Sequence, residues 1–286
     1  MRPLAEARVT VIGLGLMGGS LAGALRGKCL QVTGVARRIE TIQMALSKGL
    51  IDRGTTGVAE GVRGADVVIL ATPVRTILQQ LEEIAPLLPH GCLLMDLGST
   101  KREIVAAMEK LPPHVQPLGG HPMCGKEKSG LEVADPELYR ERTFILTPLQ
   151  RTLPDALKLG MEIAEAVGAR PLVLDAERQD YLVATLSHLP YLLACALVAT
   201  ADATTSSDPA AWEIVAGGFR DTSRVAASDV TMMVDILLTN REEVLKAVRV
   251  YQAQLHQLAQ LVEAGDESNL LAALSAIRRE RLKMFP

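Results

Sequence analysis

Aromatic side chains are scarce in this chain: Phe, Tyr and Trp make up only 3% of its 286 residues. Lys and Arg (30) nearly balance Asp and Glu (33), for a formal net charge of −3. With neither stacking platforms nor a basic stripe, nucleic-acid binding is not expected. Cysteine is sparse too. Cys29, Cys92, Cys124 and Cys195 are scattered, with no C-x-x-C spacing. That argues against a disulfide framework or a cysteine-based zinc site and fits reduced thiols in a cytoplasmic protein. His90, His114 and His256 have no partner at ligand spacing, so no metal is expected. Apolar runs are short. The longest, residues 191–201, falls below the ~20 residues of a membrane span, so no membrane association is expected. Residues 1–6 are not followed by the apolar stretch of a secretory signal.

Glycine, by contrast, is concentrated where it carries meaning. Residues 9–19 read V-T-V-I-G-L-G-L-M-G-G, an apolar strand running into Gly13, Gly15 and Gly18 at G-x-G-x-x-G spacing. In a dinucleotide-binding βαβ unit the first glycine permits the tight turn. The second lets the backbone approach the pyrophosphate, and the third lets the helix pack on the sheet. The helix's free N–H groups then face the anion. Met17, Leu21 and Leu25 share one face of the helix that follows, and a second apolar strand arrives at residues 30–35. Cofactor contacts are expected from Gly13, Gly15, Leu16, Met17 and Gly18, and from Thr72 and Pro73 after the strand at residues 67–71.

The end of the second strand bears on which dinucleotide binds. An acidic residue there accepts hydrogen bonds from the ribose 2′-OH of NAD. This chain has Ala36, then Arg37 and Arg38, whose guanidinium groups suit a 2′-phosphate. NADP is therefore expected ahead of NAD.

Strand and helix patterns alternate up to residue 174. Strands are predicted at residues 67–71, 92–96, 115–118, 144–147 and 172–174, and helices at 74–87, 101–110 and 153–167. Thr72 and Pro73 are placed to open the first of these helices, and Thr100 with Glu103 forms a capping box for the second. The expected fold is α/β: an N-terminal Rossmann domain with a doubly wound, mostly parallel sheet (residues 1–174), then an all-helical domain (residues 175–286). A helix should start near Ala176 and kink at Pro190, and another should start at Asn240 with Glu243 as its capping partner. Val244, Val248, Tyr251, Leu255, Leu258 and Val262 follow a 4-3-4-3-4 spacing, a seam that suits packing against another helix, so a homodimer is expected.

In such sheets ligands meet the carboxyl ends of the strands. His121 follows a predicted strand and two glycines, and Pro122 stiffens its backbone; a histidine there can take the proton of an alcohol as hydride leaves for a nicotinamide. If Thr100 caps the helix, Ser99 is left to bond a ligand or His121. In the helical half, Ser187-His188-Leu-Pro190-Tyr191 marks an interrupted helix that could line a cavity, and Arg220 and Arg224 suit a substrate carboxylate.

Taken in order, G-L-G-L-M-G-G-S-L, A-T-P-V, D-L-G-S-T-K, G-G-H-P-M-C-G, S-H-L-P and G-F-R-D-T-S-R resemble the prephenate/arogenate dehydrogenase family of tyrosine biosynthesis over nearly the whole chain. The resemblance implies a helical dimerisation domain after the Rossmann domain, with the active site between them. It implies oxidative decarboxylation of a cyclohexadienyl acid. In that family pattern His121 is the catalytic histidine, Ser99 helps hold the substrate hydroxyl, and Arg224 binds a carboxylate. Ser187 and His188 form the helical wall of the pocket, and Glu127 is an acid near its mouth. Two positions depart from the pattern. Tyr191 stands where many relatives have a second histidine, and Ala36-Arg37-Arg38 is similar to NADP-dependent members. No fused mutase or regulatory domain is expected in the remaining length. The alternatives are another two-domain NADP oxidoreductase, of the β-hydroxyacid dehydrogenase or imine reductase type, and a non-catalytic NADP sensor.

Overall fold

Each central strand is apolar on both faces, and this decides the architecture. In the computed structural model, which describes residues 1–126 and 128–284, the strands are β1 (Arg8–Ile12), β2 (Gln31–Val35), β3 (Arg53–Thr55), β4 (Val67–Leu70), β5 (Leu93–Asp96), β6 (Gln116–Pro122), β7 (Thr143–Pro148) and β8 (Arg170–Val173). They form one sheet in the order β3-β2-β1-β4-β5-β6-β7-β8, parallel throughout except for the antiparallel β6–β7 pair. Val9, Val11, Val67, Ile69, Leu93 and Met95 point into one core layer, while Ile12, Val68, Leu70 and Leu94 point into the other. A sheet buried on both faces must be covered on both. The covering helices are α1 (Leu16–Leu25), α2 (Ile39–Ser47), α3 (Val58–Val62), α4 (Val74–Ile84), α5 (Arg102–Met108) and α6 (Pro154–Ala166).

The glycine turn behaves as its spacing requires. Gly13 has φ +100°, a left-handed conformation that disfavours any side chain, and a Cβ on Gly18 would fall 1.9 Å from the Gly13 carbonyl oxygen. Gly15 precedes the first turn of α1, and the space its Cβ would occupy is open.

The remaining elements are helical: α7 (Ala176–Val183), α8 (Leu189–Thr205), α9 (Gly217–Ser223), α10 (Val230–Thr239), α11 (Arg241–Glu263) and α12 (Glu267–Met284). The chain divides into two compact units, Met1–Arg241 and Glu242–Pro286.

Several local expectations are corrected. β6 runs beyond the predicted 115–118 to Pro122, so Gly119, Gly120 and His121 lie within the strand, where His121 pairs with Ile145. The α-helical pattern changes before Pro190, which lies in the first turn of α8. A π-type turn at Ala184–His188 lies between α7 and α8, with the Leu189 N–H donating to the Ala184 carbonyl, so the chain stays helical. The resulting helical run, Ala176–Thr205, spans 30 residues with mean hydropathy 1.8 in its best window. By length and composition alone that run suffices to cross a membrane, which a count of uninterrupted apolar residues misses. Thr72 does not cap α4; its hydroxyl donates to Gln80 Oε1 at 2.7 Å. Thr100 does not cap α5 either, since its Oγ1 lies 2.8 Å from Thr239 Oγ1. Asn240 closes α10 and stands directly before α11, which begins at Arg241.

Candidate active site

The cap that Thr100 does not provide comes from a distant residue. Asp180, on α7, accepts the Lys101 N–H at 2.7 Å and the Arg102 N–H at 2.9 Å, satisfying two of the donors that every helix start leaves open. Ser99 is therefore held from both sides: by Asp96 at the end of β5 and by the clamp on Lys101. The Asp96 carboxylate accepts from Gly98 N–H at 2.7 Å and Gly120 N–H at 3.1 Å, and it is paired with the Lys101 ammonium. This last contact explains one glycine before His121. A Cβ on Gly120 would lie 2.5 Å from the Asp96 carbonyl oxygen, so only glycine lets β6 come this close to the end of β5.

Asp96 and Lys101 are wholly buried. Burial drives Asp96 up and Lys101 down, each towards neutrality, while their mutual attraction opposes the shift. Deleting one partner of such a pair typically costs about 3–5 kcal/mol because the other charge is left stranded.

Above this floor lies a cavity of about 650 Å³, within the roughly 300–1,000 Å³ usual for small-molecule sites. Gly15, Leu16, Met17, Thr72 and Pro73 line one part of it; Ser99 and His121 line another; Ser187, Tyr191 and Arg224 complete it. The sequence thus brings most of its candidates to one place. Gly13 and Gly18 shape the turn without lining the cavity, and Arg37 and Arg38 are exposed just past β2. The open space at Gly15, set against the first turn of α1, fits a dinucleotide's pyrophosphate. Two candidates stand apart. Arg220 is exposed and does not line the cavity, whereas Arg224, at the start of a short 3₁₀ turn after α9, does. Glu127 lies outside the described residues.

His188 is a correction too. The π-type turn points Ser187 to the cavity and turns His188 into the interior, at 1% exposure. Its Nδ1 lies 3.3 Å from Asn240 Nδ2, which also donates to the Asp180 carbonyl at 2.8 Å. Burial lowers the His188 pKa to about 4.

His121 is 8% exposed, and of its two ring nitrogens Nδ1 is the one sealed from solvent. Nε2 is therefore the nitrogen on the cavity side. Burial, then the Lys101 ammonium, then His188 bring the His121 pKa down to about 3, so the ring is neutral with a lone pair available at physiological pH.

Sequence reasoning missed Gln179 and Asp180 and saw Asn240 only as a helix start; all three are buried. A signal did exist. Ala176, Gln179, Asp180 and Val183 fall at i, i+3, i+4, i+7, and all four are buried on one face of α7. Two polar residues in a core stripe need partners, and here their partners are the floor of the site.

Known proteins match this arrangement over nearly its whole length. The model of the prephenate dehydrogenase nucleotide-binding domain matches residues 21–173, and that of the prephenate dehydrogenase dimerization domain matches residues 175–276. The prephenate dehydrogenase of Bacillus subtilis is 35% identical over 92% of this chain and 72% of its own. The cyclohexadienyl dehydrogenase of Zymomonas mobilis is 31% identical over 96% of this chain and 95% of its own. A crystal structure of prephenate dehydrogenase from A. aeolicus, in complex with hydroxyphenyl propionate and NAD+, superposes with a TM-score of 0.91 at 33% identity, covering 99% of this chain and 100% of that one. With both domain models matched in order along one chain, this protein belongs to the prephenate dehydrogenase family.

Proposed function

We propose that this chain is a prephenate/arogenate dehydrogenase, carrying out the oxidative decarboxylation of a cyclohexadienyl acid in tyrosine biosynthesis. The observation that carries this reading is one cavity shared by the glycine turn, Ser99, His121 and Arg224. A nicotinamide dinucleotide held at Gly15, Leu16 and Met17, on the turn that Gly13 and Gly18 shape, would supply the hydride acceptor. His121, neutral and with Nε2 on the cavity side, takes the proton of the substrate's ring hydroxyl as hydride leaves the carbon that bears it. Ser99 holds that hydroxyl and Arg224 holds a carboxylate. Carbon dioxide departs as the ring becomes aromatic, which makes the step downhill without a metal.

Residues 1–174 form the cofactor-binding part in this reading, and residues 175–286 the substrate and dimerisation part. A homodimer is favoured by the dimerization-domain match and by apolar side chains left exposed on α11 and α12, among them Leu255, Val262, Leu271, Leu274 and Ile277. The Ala176–Thr205 run, with 28% of its apolar window buried, likewise has surface for a second copy to cover. A cytoplasmic enzyme fits this assignment.

NADP is preferred over NAD in this proposal because no acid follows β2, and Arg37 and Arg38 are exposed there. Charge-assisted hydrogen bonds of about 1.5–3 kcal/mol each, trimmed by solvent, give a roughly 10–100-fold ratio in kcat/KM. Steady-state assays pairing prephenate and arogenate with NADP and NAD test both parts. Turnover of at least one acid, with NADP ahead and its lead shrinking as salt rises, is expected. No turnover of either acid would overturn the assignment, and equal kcat/KM for both cofactors would overturn the NADP preference.

A further inference from the structure

The helices that follow β4 and β5 both start without a cap of their own. Pro73 precedes α4 and Lys101 precedes α5, and neither side chain accepts from the first turn. The open N–H groups of a helix start need acceptors. For α5 these come from Asp180. For α4 they come from Asp235 on α10, which is buried and 160 residues away in sequence. Asp235 Oδ2 accepts the Arg75 backbone N–H at 3.3 Å, and Oδ1 accepts from Arg75 Nε at 2.6 Å. A carboxylate at a helix N-terminus is favoured by the helix dipole as well as by the hydrogen bond. Among the described residues, neither Arg75 nor Asp235 has another ion-pair partner.

This clasp joins two walls of the cavity. Thr72, Pro73 and Val74, directly before Arg75, line it on the side of the glycine turn. Met232, Met233 and Ile236, on the turns around Asp235, line it from α10. A second tie lies one helical turn further on. Thr239, four residues after Asp235 and so on the same face, has its Oγ1 2.8 Å from Thr100 Oγ1. The Thr239 hydroxyl donates to the Asp235 carbonyl at 2.8 Å, so Thr100 is the donor of the pair. Thr100 directly follows Ser99, and both threonines are buried. One face of α10 therefore holds the corner after β4 and the corner after β5 together. Shifting α10 against either corner would strand buried polar groups, which is expensive.

We propose that Asp235 is a positioning residue that couples the two halves of the site: by capping α4 and pairing with Arg75, it makes the Thr72–Val74 corner and α10 respond as one element. A dinucleotide against the corner then orders the α10 wall, and an acid against α10 orders the corner. The second ligand to bind meets a wall already ordered and loses less freedom, so each strengthens the other's binding. This inference rests on the reading of the cavity as a joint site for dinucleotide and acid. Neither Arg75 nor Asp235 lines the cavity, so their effect falls on the relation between the ligands and not on a direct contact to either.

Titration calorimetry on the full chain tests this, with NADP and NAD as cofactors and hydroxyphenyl propionate, the acid in the A. aeolicus complex, as the second ligand. In the parent, saturating acid should lower the cofactor Kd about tenfold, and by linkage saturating cofactor should lower the acid Kd by the same factor. Asp235→Ala removes cap and ion pair together and should bring that factor to about one, with each ligand's Kd alone little changed. Arg75→Met removes the ion pair but keeps the backbone cap, and should give an intermediate factor. Asp235→Asn, whose amide oxygen can still accept the Arg75 N–H, should recover part of what Asp235→Ala loses. Arg26→Met, which breaks the ion pair with Asp52 away from the cavity, should keep the parental factor. A purely structural Asp235 would lower the unfolding midpoint of Asp235→Ala and leave the factor unchanged, and that result would overturn the proposal. So would a parent in which the two ligands bind independently. If Asp235→Ala does not fold, Arg75→Met decides alone, since the Arg75 side chain is half exposed and its loss leaves the cap in place. A parent that binds neither cofactor nor acid would instead put the failure on the reading of the cavity.

Discussion

The floor of the cavity and the arginines singled out by the sequence use polar groups in opposite ways. Asp96, Lys101, Gln179, Asp180 and His188 are all at 1% exposure or less, whereas Arg37, Arg38, Arg220 and Arg224 are exposed. In a low-dielectric interior an unmatched donor, acceptor or charge is expensive, so buried groups are held in one arrangement. Exposed guanidinium groups give up little on leaving solvent and attract anions from a distance, but salt screens them. The floor therefore fixes geometry and protonation, and the arginines provide attraction. Breaking one should change turnover, and breaking the other should change affinity.

The sharpest break is at the boundary between the two regions. His121→Asn should lower turnover by about 10²–10⁴, the usual contribution of a general base, with little change in cofactor affinity. Steady-state kinetics alongside cofactor titration will measure both. A variant with parental turnover would reduce His121 to a structural member of the floor.

The exposed side gives a smaller effect of a different kind. Arg224→Ala should cost about 1.5–3 kcal/mol of substrate binding, seen as a raised KM with a lesser change in kcat, because a charge-assisted contact to a carboxylate is lost in ground and transition states alike. Arg220→Ala should be close to silent, since Arg224 and not Arg220 lines the cavity. The reverse pattern would move the carboxylate anchor to Arg220.

What the sequence made legible follows the same division. The parallel sheet was readable because β1, β4 and β5 are short, nearly continuous apolar runs, the mark of strands covered on both faces. The glycine turn was readable because backbone sterics dictate it locally. β3 was not, because three residues (Arg53–Thr55) at the sheet's edge carry no periodicity. The caps of α4 and α5 were misread for a common reason. Local spacing favours Thr72 and Thr100, yet Gln80 takes the first hydroxyl and Thr239 engages the second, while Asp180 reaches the α5 start from 79 residues away. Tertiary contacts overrode local capping chemistry. His188 was misplaced because helical spacing assumes 3.6 residues per turn, and a π-type turn shifts what each side chain faces.

The floor can also be probed without touching the reaction, through stability against pH. His121 and His188 drop from 6.5 to about 3 and about 4 on folding, chiefly through burial. Below pH 6.5 the unfolded chain gains a proton on each ring and the folded chain does not, so the unfolded state binds more protons and stability falls as pH falls. Each ring should remove about 1.4 kcal/mol per pH unit once the pH is below 6.5, until its folded pKa is reached, or roughly 2 kcal/mol apiece at pH 5. Asp96 and Asp180 work the other way, because burial raises their pKa values and protonation relieves them as pH falls. Comparing the parent with His188→Asn at each pH cancels those carboxylates, and an Asn oxygen can still accept from Asn240. Denaturant unfolding at fixed protein concentration from pH 7.5 to 4.5 should show the parent losing stability faster than the variant on acidification. Parallel curves would mean that His188 is not desolvated, and the floor would then be a wetter, more permissive surface than the buried contacts imply.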